Sequence, residues 1–144
     1  MLSNSCRYGI RAIIYIASQP KDAGKTGIKQ ISKDLGLPMP FLAKILQQLT
    51  RHRVLVSLKG PHGGFSLSKD PSKLTLLDIV KIIDGEEIFT NCVMHNNKCK
   101  DAEGHKCTLH DDYDAIRAEI IKLFNNRTIY DLVKKSESTN SIII

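Results

Sequence analysis

IKQISKDLGLPMPFLAKILQQLTRHRVLVSLKGPHGGFSLS, residues 28–68, changes its hydrophobic period along its length, and those changes decide the fold. Ile28, Ile31 and Leu35 form a short apolar stripe at helical spacing, with Thr26 as the expected cap before it. Gly36-Leu37-Pro38 then breaks the helix as a tight turn between two crossed helices does. From about Met39 to Arg51 a second helix carries two faces: Leu42, Ile45, Leu46 and Leu49 to pack, and Lys44, Gln47, Gln48 and Arg51 to remain outside. The period then drops to two. Val54 to Leu58 and Phe65 to Ser68 read as short strands around the turn Lys59-Gly60-Pro61-His62-Gly63-Gly64, a β-hairpin with a flexible basic tip.

Upstream of this stretch, Cys6, Ile10, Ile13, Ile14 and Ala17 recur at helical spacing as far as Pro20, predicting one amphipathic helix. Downstream, three Thr-x-x-Asp boxes announce helices, at Thr75/Asp78, Thr108/Asp111 and Thr128/Asp131, because the threonine caps backbone N–H groups and the acid sits at the positive helix end. The first opens a helix with Leu76, Ile79, Val80 and Ile83 inside. The second opens a helix whose Leu109, Tyr113, Ile116, Ile120 and Leu123 alternate spacings of four and three, the pattern of a seam against a partner helix. The expected fold is mainly α with a small β-hairpin. Residues 1–85 form a winged helix-turn-helix, 86–107 a cysteine-bearing loop, 108–135 a dimerisation helix and a C-terminal helix, and 136–144 a mobile tail.

The chain has 144 residues, 42% of them hydrophobic and 25% charged, which supports one core and argues against a two-domain enzyme. No apolar run is long enough to span a bilayer, and the first residues lack the order of a signal peptide, so the expected location is the cytoplasm, without a membrane partner. A formal net charge of +6 conceals an asymmetry, since residues 1–73 hold 12 Lys/Arg against 3 Asp/Glu and residues 74–144 hold 9 against 12. The basic half points to an anionic partner. Neither a glycine-rich phosphate loop nor a nucleophile–base pair stands out, so the chain is not expected to be an enzyme.

Helix, helix-turn-helix and hairpin, in that order, make a winged helix, whose second crossed helix enters the major groove of double-stranded DNA. Amide and ammonium donors from Lys44, Gln47 and Gln48 suit purine acceptors, Pro40 fronts the same helix, and Arg51, Lys33 and Lys29 suit phosphates. Lys59 and His62 sit in the hairpin tip beside Gly63 and Gly64, which let backbone approach a phosphate closely.

Cys92, Cys99, Cys107 and His110 lie within 19 positions of one another. Thiolates and imidazole in a reducing compartment suit an iron–sulfur cluster or zinc; unrelated thiols and a small iron–sulfur electron carrier are the rival readings. The spacing of Cys6 to Ile10 and Ile13 predicts a buried helical residue.

Arg7-Tyr8-Gly9-Ile10-Arg11-Ala12, Leu35-Gly36-Leu37-Pro38, Lys59-Gly60-Pro61-His62-Gly63-Gly64-Phe65 and Leu76-Leu77-Asp78-Ile79-Val80 resemble the Rrf-type family of winged-helix repressors over about residues 1–135. The resemblance implies a two-fold homodimer on a pseudo-palindromic operator, a wing in the minor groove, and the helix after Thr108 as the interface. Cluster-binding members of that family carry three cysteines in this loop, which favours a 2Fe-2S or 4Fe-4S cluster over zinc and implies control by iron, nitric oxide or redox state. His110 then stands as the fourth ligand, with Cys6 as an alternative supplied by the partner's first helix. The gaps between the cysteines here are slightly longer than in those members.

Overall fold

The computed structural model describes residues 2–20, 24–95, 98 and 106–139; Cys99 and the last five residues of the expected tail lie outside them. Helix α1 (Asn4–Ser18) begins at Ser3, whose Oγ accepts the Cys6 N–H at 3.0 Å. It buries Cys6, Gly9, Ala12, Ile13 and Ile16. Gly9 marks its closest approach to the rest of the core, where a Cβ would collide with Ile83 and crowd Ile45.

Helix α2 (Ile28–Leu35) ends on Gly36, whose φ of 61° is left-handed and lets the Leu37 N–H reach back to Ser32 O at 3.0 Å. Arg11 Nη2 donates to Leu35 O at 2.8 Å, satisfying a carbonyl that the helix leaves open. Helix α3 (Met39–Arg51) follows, with Leu42, Ile45, Leu46 and Leu49 buried as the periodicity requires. Their common core includes Ile13, Ile31, Leu55 and Leu74.

Strands β1 (Leu55–Leu58) and β2 (Gly64–Leu67) form the antiparallel hairpin, with Leu55 opposite Leu67 and Leu58 opposite Gly64. Thr26 is not the cap of α2; that position is Gly27. Thr26 instead bridges to Phe65, each N–H donating to the other's carbonyl at 2.9 Å, so the wing has a third segment at its base. The bridge explains Gly64: at φ 146° its Cβ would stand 2.5 Å from Thr26 O. Gly63 is likewise hemmed in by Leu58 O and Gly60 O. Both glycines thus answer to the protein's own backbone before any ligand approaches.

Helix α4 (Leu76–Asp84) carries the complete Thr75/Asp78 capping box. Helices α5 (Glu87–Thr90), α6 (His110–Asn125) and α7 (Ile129–Thr139) follow. The Thr128/Asp131 box forms with reciprocal bonds at 3.0 and 3.2 Å, and the Thr128 N–H and O–H, both donating to Asp131 Oδ2, hold the Asp131 carboxyl below its ordinary range. The Thr108/Asp111 box does not form: α6 starts after Leu109 with no side-chain cap, while Asp111 pairs with Lys106 at 3.1 Å.

Two departures from the expected layout concern the C-terminal half. The segment 86–107 is not wholly loop, since α5 places Phe89 in a core cluster with Cys6 and Val80, edge-on to Phe124 of α6 at 6.2 Å. Helix α7 runs on to Thr139, past the expected start of the tail, and its Ile129 and Val133 enter the main core. Leu76 N–H to Arg127 O and Ile129 N–H to Leu74 O, both 2.9 Å, pin the start of α7 to the start of α4.

Candidate functional site

Pro40, Lys44, Gln47 and Arg51 recur every three or four residues on α3, and all four are exposed opposite its packed face. Lys29 and Lys33 are exposed on α2, and Lys59 and His62 at the hairpin tip. This surface is a convex helix flanked by a projecting hairpin, and every charged side chain named on it is basic. It has the shape and sign for a duplex groove. Gln48 departs from the expectation. Its amide turns inward and donates to Ile82 O on α4 at 2.6 Å, because position 48 lies on the side of α3 that meets α4. Sequence reasoning missed Phe41 and Met39, which stand 60% and 42% exposed at the front of α3, where an apolar group can meet a thymine methyl.

These placements separate the two glutamines. Gln48→Ala is expected to cost about 0.5–1.5 kcal/mol of stability by removing the bond to Ile82, without altering operator preference. Gln47→Ala is expected to leave stability within about 0.5 kcal/mol and to alter which bases are selected, a direct contact being worth about 1–3 kcal/mol. Urea unfolding and selection from a random oligonucleotide pool measure both, and a changed motif in the Gln48 variant would contradict the assignment.

Away from α3 in sequence, Cys92 and Cys107 come together from segments 15 positions apart, their Sγ atoms at 3.5 Å. That is contact rather than a bond, which for a disulfide is about 2.05 Å. It approaches the separation of about 3.8 Å for two thiolates on one tetrahedral metal ion with bonds of roughly 2.3 Å. Cys92 is buried, and the Met94 N–H donates to its sulfur at 3.4 Å. His110 lines the same hollow with Tyr113 and Arg117, and its backbone N–H donates to Cys107 O at 3.0 Å. Sulfur and imidazole are donor types that iron and zinc accept, although among the described residues no three such side chains stand grouped to hold an ion. His95 was missed by the sequence reading although its Cys-x-x-His spacing was visible; its Nδ1 stands 3.5 Å from Cys92 Sγ.

Cys6 takes the expected place of a buried helical residue: it is fully buried, and burial, followed by the charge and hydrogen bonding of Asp84, pushes its thiol up to about 12.

The expected seam divides into two roles. Leu109, Ile116 and Leu123 recur every seven residues and stand 40%, 59% and 51% exposed. Ile120, by contrast, packs with Ile121 and Phe124 against the cluster of Cys6, Val80 and Phe89, and the Tyr113 ring lies 5.0 Å from the Arg117 guanidinium carbon. No helix among the described residues is long and apolar enough to cross a membrane.

Known proteins are similar to this chain in sequence and fold. A putative HTH-type transcriptional regulator of Aquifex aeolicus is 32% identical over 137 residues, covering 95% of this chain and 94% of the relative. The HTH-type transcriptional regulator IscR of Escherichia coli is 26% identical over 136 residues, covering 94% and 82%. Among solved structures, CymR, the global cysteine regulator of B. subtilis, superposes with a TM-score of 0.78 at 22% identity, covering 94% of this chain and 97% of that one. T. potens IscR gives 0.76 at 19% identity, covering 98% and 91%. Residues 2–135 match the Rrf2 family model, described as an iron-dependent transcriptional regulator. With the winged-helix fold and nearly the whole chain in agreement, this protein belongs to the Rrf2 family of transcriptional regulators.

Proposed function

We propose that the chain is a homodimeric, sequence-specific repressor whose operator affinity is controlled by an iron–sulfur cluster held by Cys92, Cys99 and Cys107 with His110 as fourth ligand. The observation that carries the DNA-binding part is the exposed stripe of Pro40, Lys44, Gln47 and Arg51 on α3 beside a basic wing. In this reading Lys44 and Gln47 meet base edges, Arg51, Lys33 and Lys29 meet phosphates, and Lys59 and His62 follow the backbone from the wing. Two copies joined along α6 would present two α3 helices to half-sites about 34–36 Å apart, one turn of DNA.

The approach of Cys92 and Cys107 supports the metal part, as does the family's iron-dependent description. A bound cluster supplies bonds that respond to iron supply, nitric oxide and oxidants. The chain's own part is to connect that site to the DNA-binding surface. Cys92 follows α5, whose Phe89 packs on α4 and α6, while Cys107 leads directly into α6. Release of either cysteine therefore loosens the end of α5 or the start of α6 beside the site, which changes the spacing of the reading helices. Zinc in the same site is a second reading, favoured by the sulfur separation near that of a tetrahedral ion.

Electrophoretic mobility shift at several salt concentrations tests the DNA surface. Lys59→Ala is expected to weaken operator binding and to reduce the salt slope by about 1, whereas Lys134→Ala, which removes an ammonium lying over Tyr130 on α7, should do neither. Equal effects of the two substitutions would remove the wing from the interface.

A further inference from the structure

Arg117 occupies an unusual place for a helix-surface arginine. It lies on α6, its side chain is only 12% exposed, and it lines the hollow that Cys92, Cys107 and His110 share. Nη2 donates to Asn91 O at 2.6 Å, the carbonyl of the residue just before Cys92. Nη1 reaches Asp114 at 3.3 Å, and the guanidinium carbon lies 5.0 Å from the centroid of the Tyr113 ring. Nε is buried without a hydrogen-bond partner among the described residues.

Burying a guanidinium is costly unless an anion accompanies it. The carboxylate present, Asp114, is 57% exposed, and solvent screens such a pair strongly. Among the described residues, Asp114 therefore offsets the Arg117 charge only in part, beside two sulfurs that must be thiolates to bind metal. A guanidinium also has five donors in a rigid fork, so one group can hold a carbonyl and still face an anionic sulfur site.

The geometry points to Arg117 as the positioning residue of the cysteine site: it ties the Cys92 segment to α6 through Asn91 O and supplies the positive charge that offsets the thiolate ligands. This rests on the reading of the cysteines as metal ligands. It adds a direct link between that site and the dimer helix, since Arg117 adjoins the exposed Ile116.

The full chain is reconstituted anaerobically with ferrous iron and sulfide, and the lifetime of its visible chromophore is measured against an iron chelator. Arg117→Gln is expected to shorten that lifetime at least about tenfold, as loss of an outer partner of a ligand set does, and Arg117→Lys to shorten it less because charge is retained. Lys122→Gln, which removes an exposed charge from the same helix, is expected to leave it unchanged. In the metal-free protein, amide hydrogen exchange over residues 91–94 should accelerate at least about tenfold in Arg117→Gln while thermal unfolding stays cooperative. A lifetime or an exchange rate within twofold of the parent protein overturns the assignment. If the parent protein itself acquires no chromophore, the cluster reading fails, and the exchange measurement alone decides the role of Arg117.

Discussion

Cys92→Ala and Cys107→Ala are each expected to abolish the visible chromophore of anaerobically reconstituted protein, with helical circular dichroism largely retained. Cys99→Ala, by the same reading of the sequence, should do the same. The effect is all-or-none because a thiolate bond to iron has no substitute in an alanine methyl, and the remaining donors cannot close the coordination shell. His110→Ala should bleach or shift the spectrum. Cys6→Ala should leave the spectrum intact and lower the melting temperature, since it trims a side chain from the cluster of Val80 and Phe89 without touching the hollow. Absorption spectra with iron and sulfide analysis report the first four outcomes, and calorimetry the last. Stoichiometric zinc in a colourless, iron-replete, anaerobic preparation would replace the iron–sulfur reading with the zinc one and leave the DNA surface untouched.

Ile116→Asp is expected to convert the proposed homodimer to monomers and to lower operator affinity by about 10²–10⁴, the gain lost when two linked half-site contacts become independent. The side chain stands 59% exposed in the single chain, so a carboxylate there costs the monomer little, while in the α6 seam it would be buried without a partner. Sedimentation velocity together with operator titration measures both quantities, and a full dimer in the variant would place the interface on another surface. Ile120 is the informative contrast. Because it packs on the chain's own second core cluster, Ile120→Asp should lower the unfolding midpoint as well.

Much of the architecture was legible before any coordinate. The α3 pattern set Leu42, Ile45, Leu46 and Leu49 inside, and all four are buried. Gly36 is the expected break between α2 and α3, and it ends α2 in left-handed backbone. The Thr75/Asp78 and Thr128/Asp131 boxes formed because each has regular helix after it and the neighbouring strand-like bridge before it. Thr108/Asp111 has the same local chemistry, but Asp111 is engaged by Lys106 and the helix starts one residue beyond the threonine's reach.

The candidate site was less legible, for a definite reason. Helical periodicity says which residues leave the core side, but it cannot say which neighbouring element lies across from a residue at the edge of a face. Gln47 and Gln48 look alike in sequence, and only the position of α4 makes Gln48 a structural donor to Ile82. No periodicity in α6 singles out Arg117; Asn91 and the cysteines beside it do.

By itself, then, the order of residues determined the local elements: a glycine break, a two-faced helix, a hairpin, capped helices and a cluster of closely spaced cysteines. Those follow from backbone geometry and hydrophobic period, which act over a few residues. Tertiary structure decided what those elements meet: Thr26 against Phe65, α7 against α1, Cys6 against Asp84, and Cys92 against Cys107. Such pairings span from 15 to more than 100 positions, and close packing of the core sets them, with each helix taking the orientation that buries its apolar face against the others.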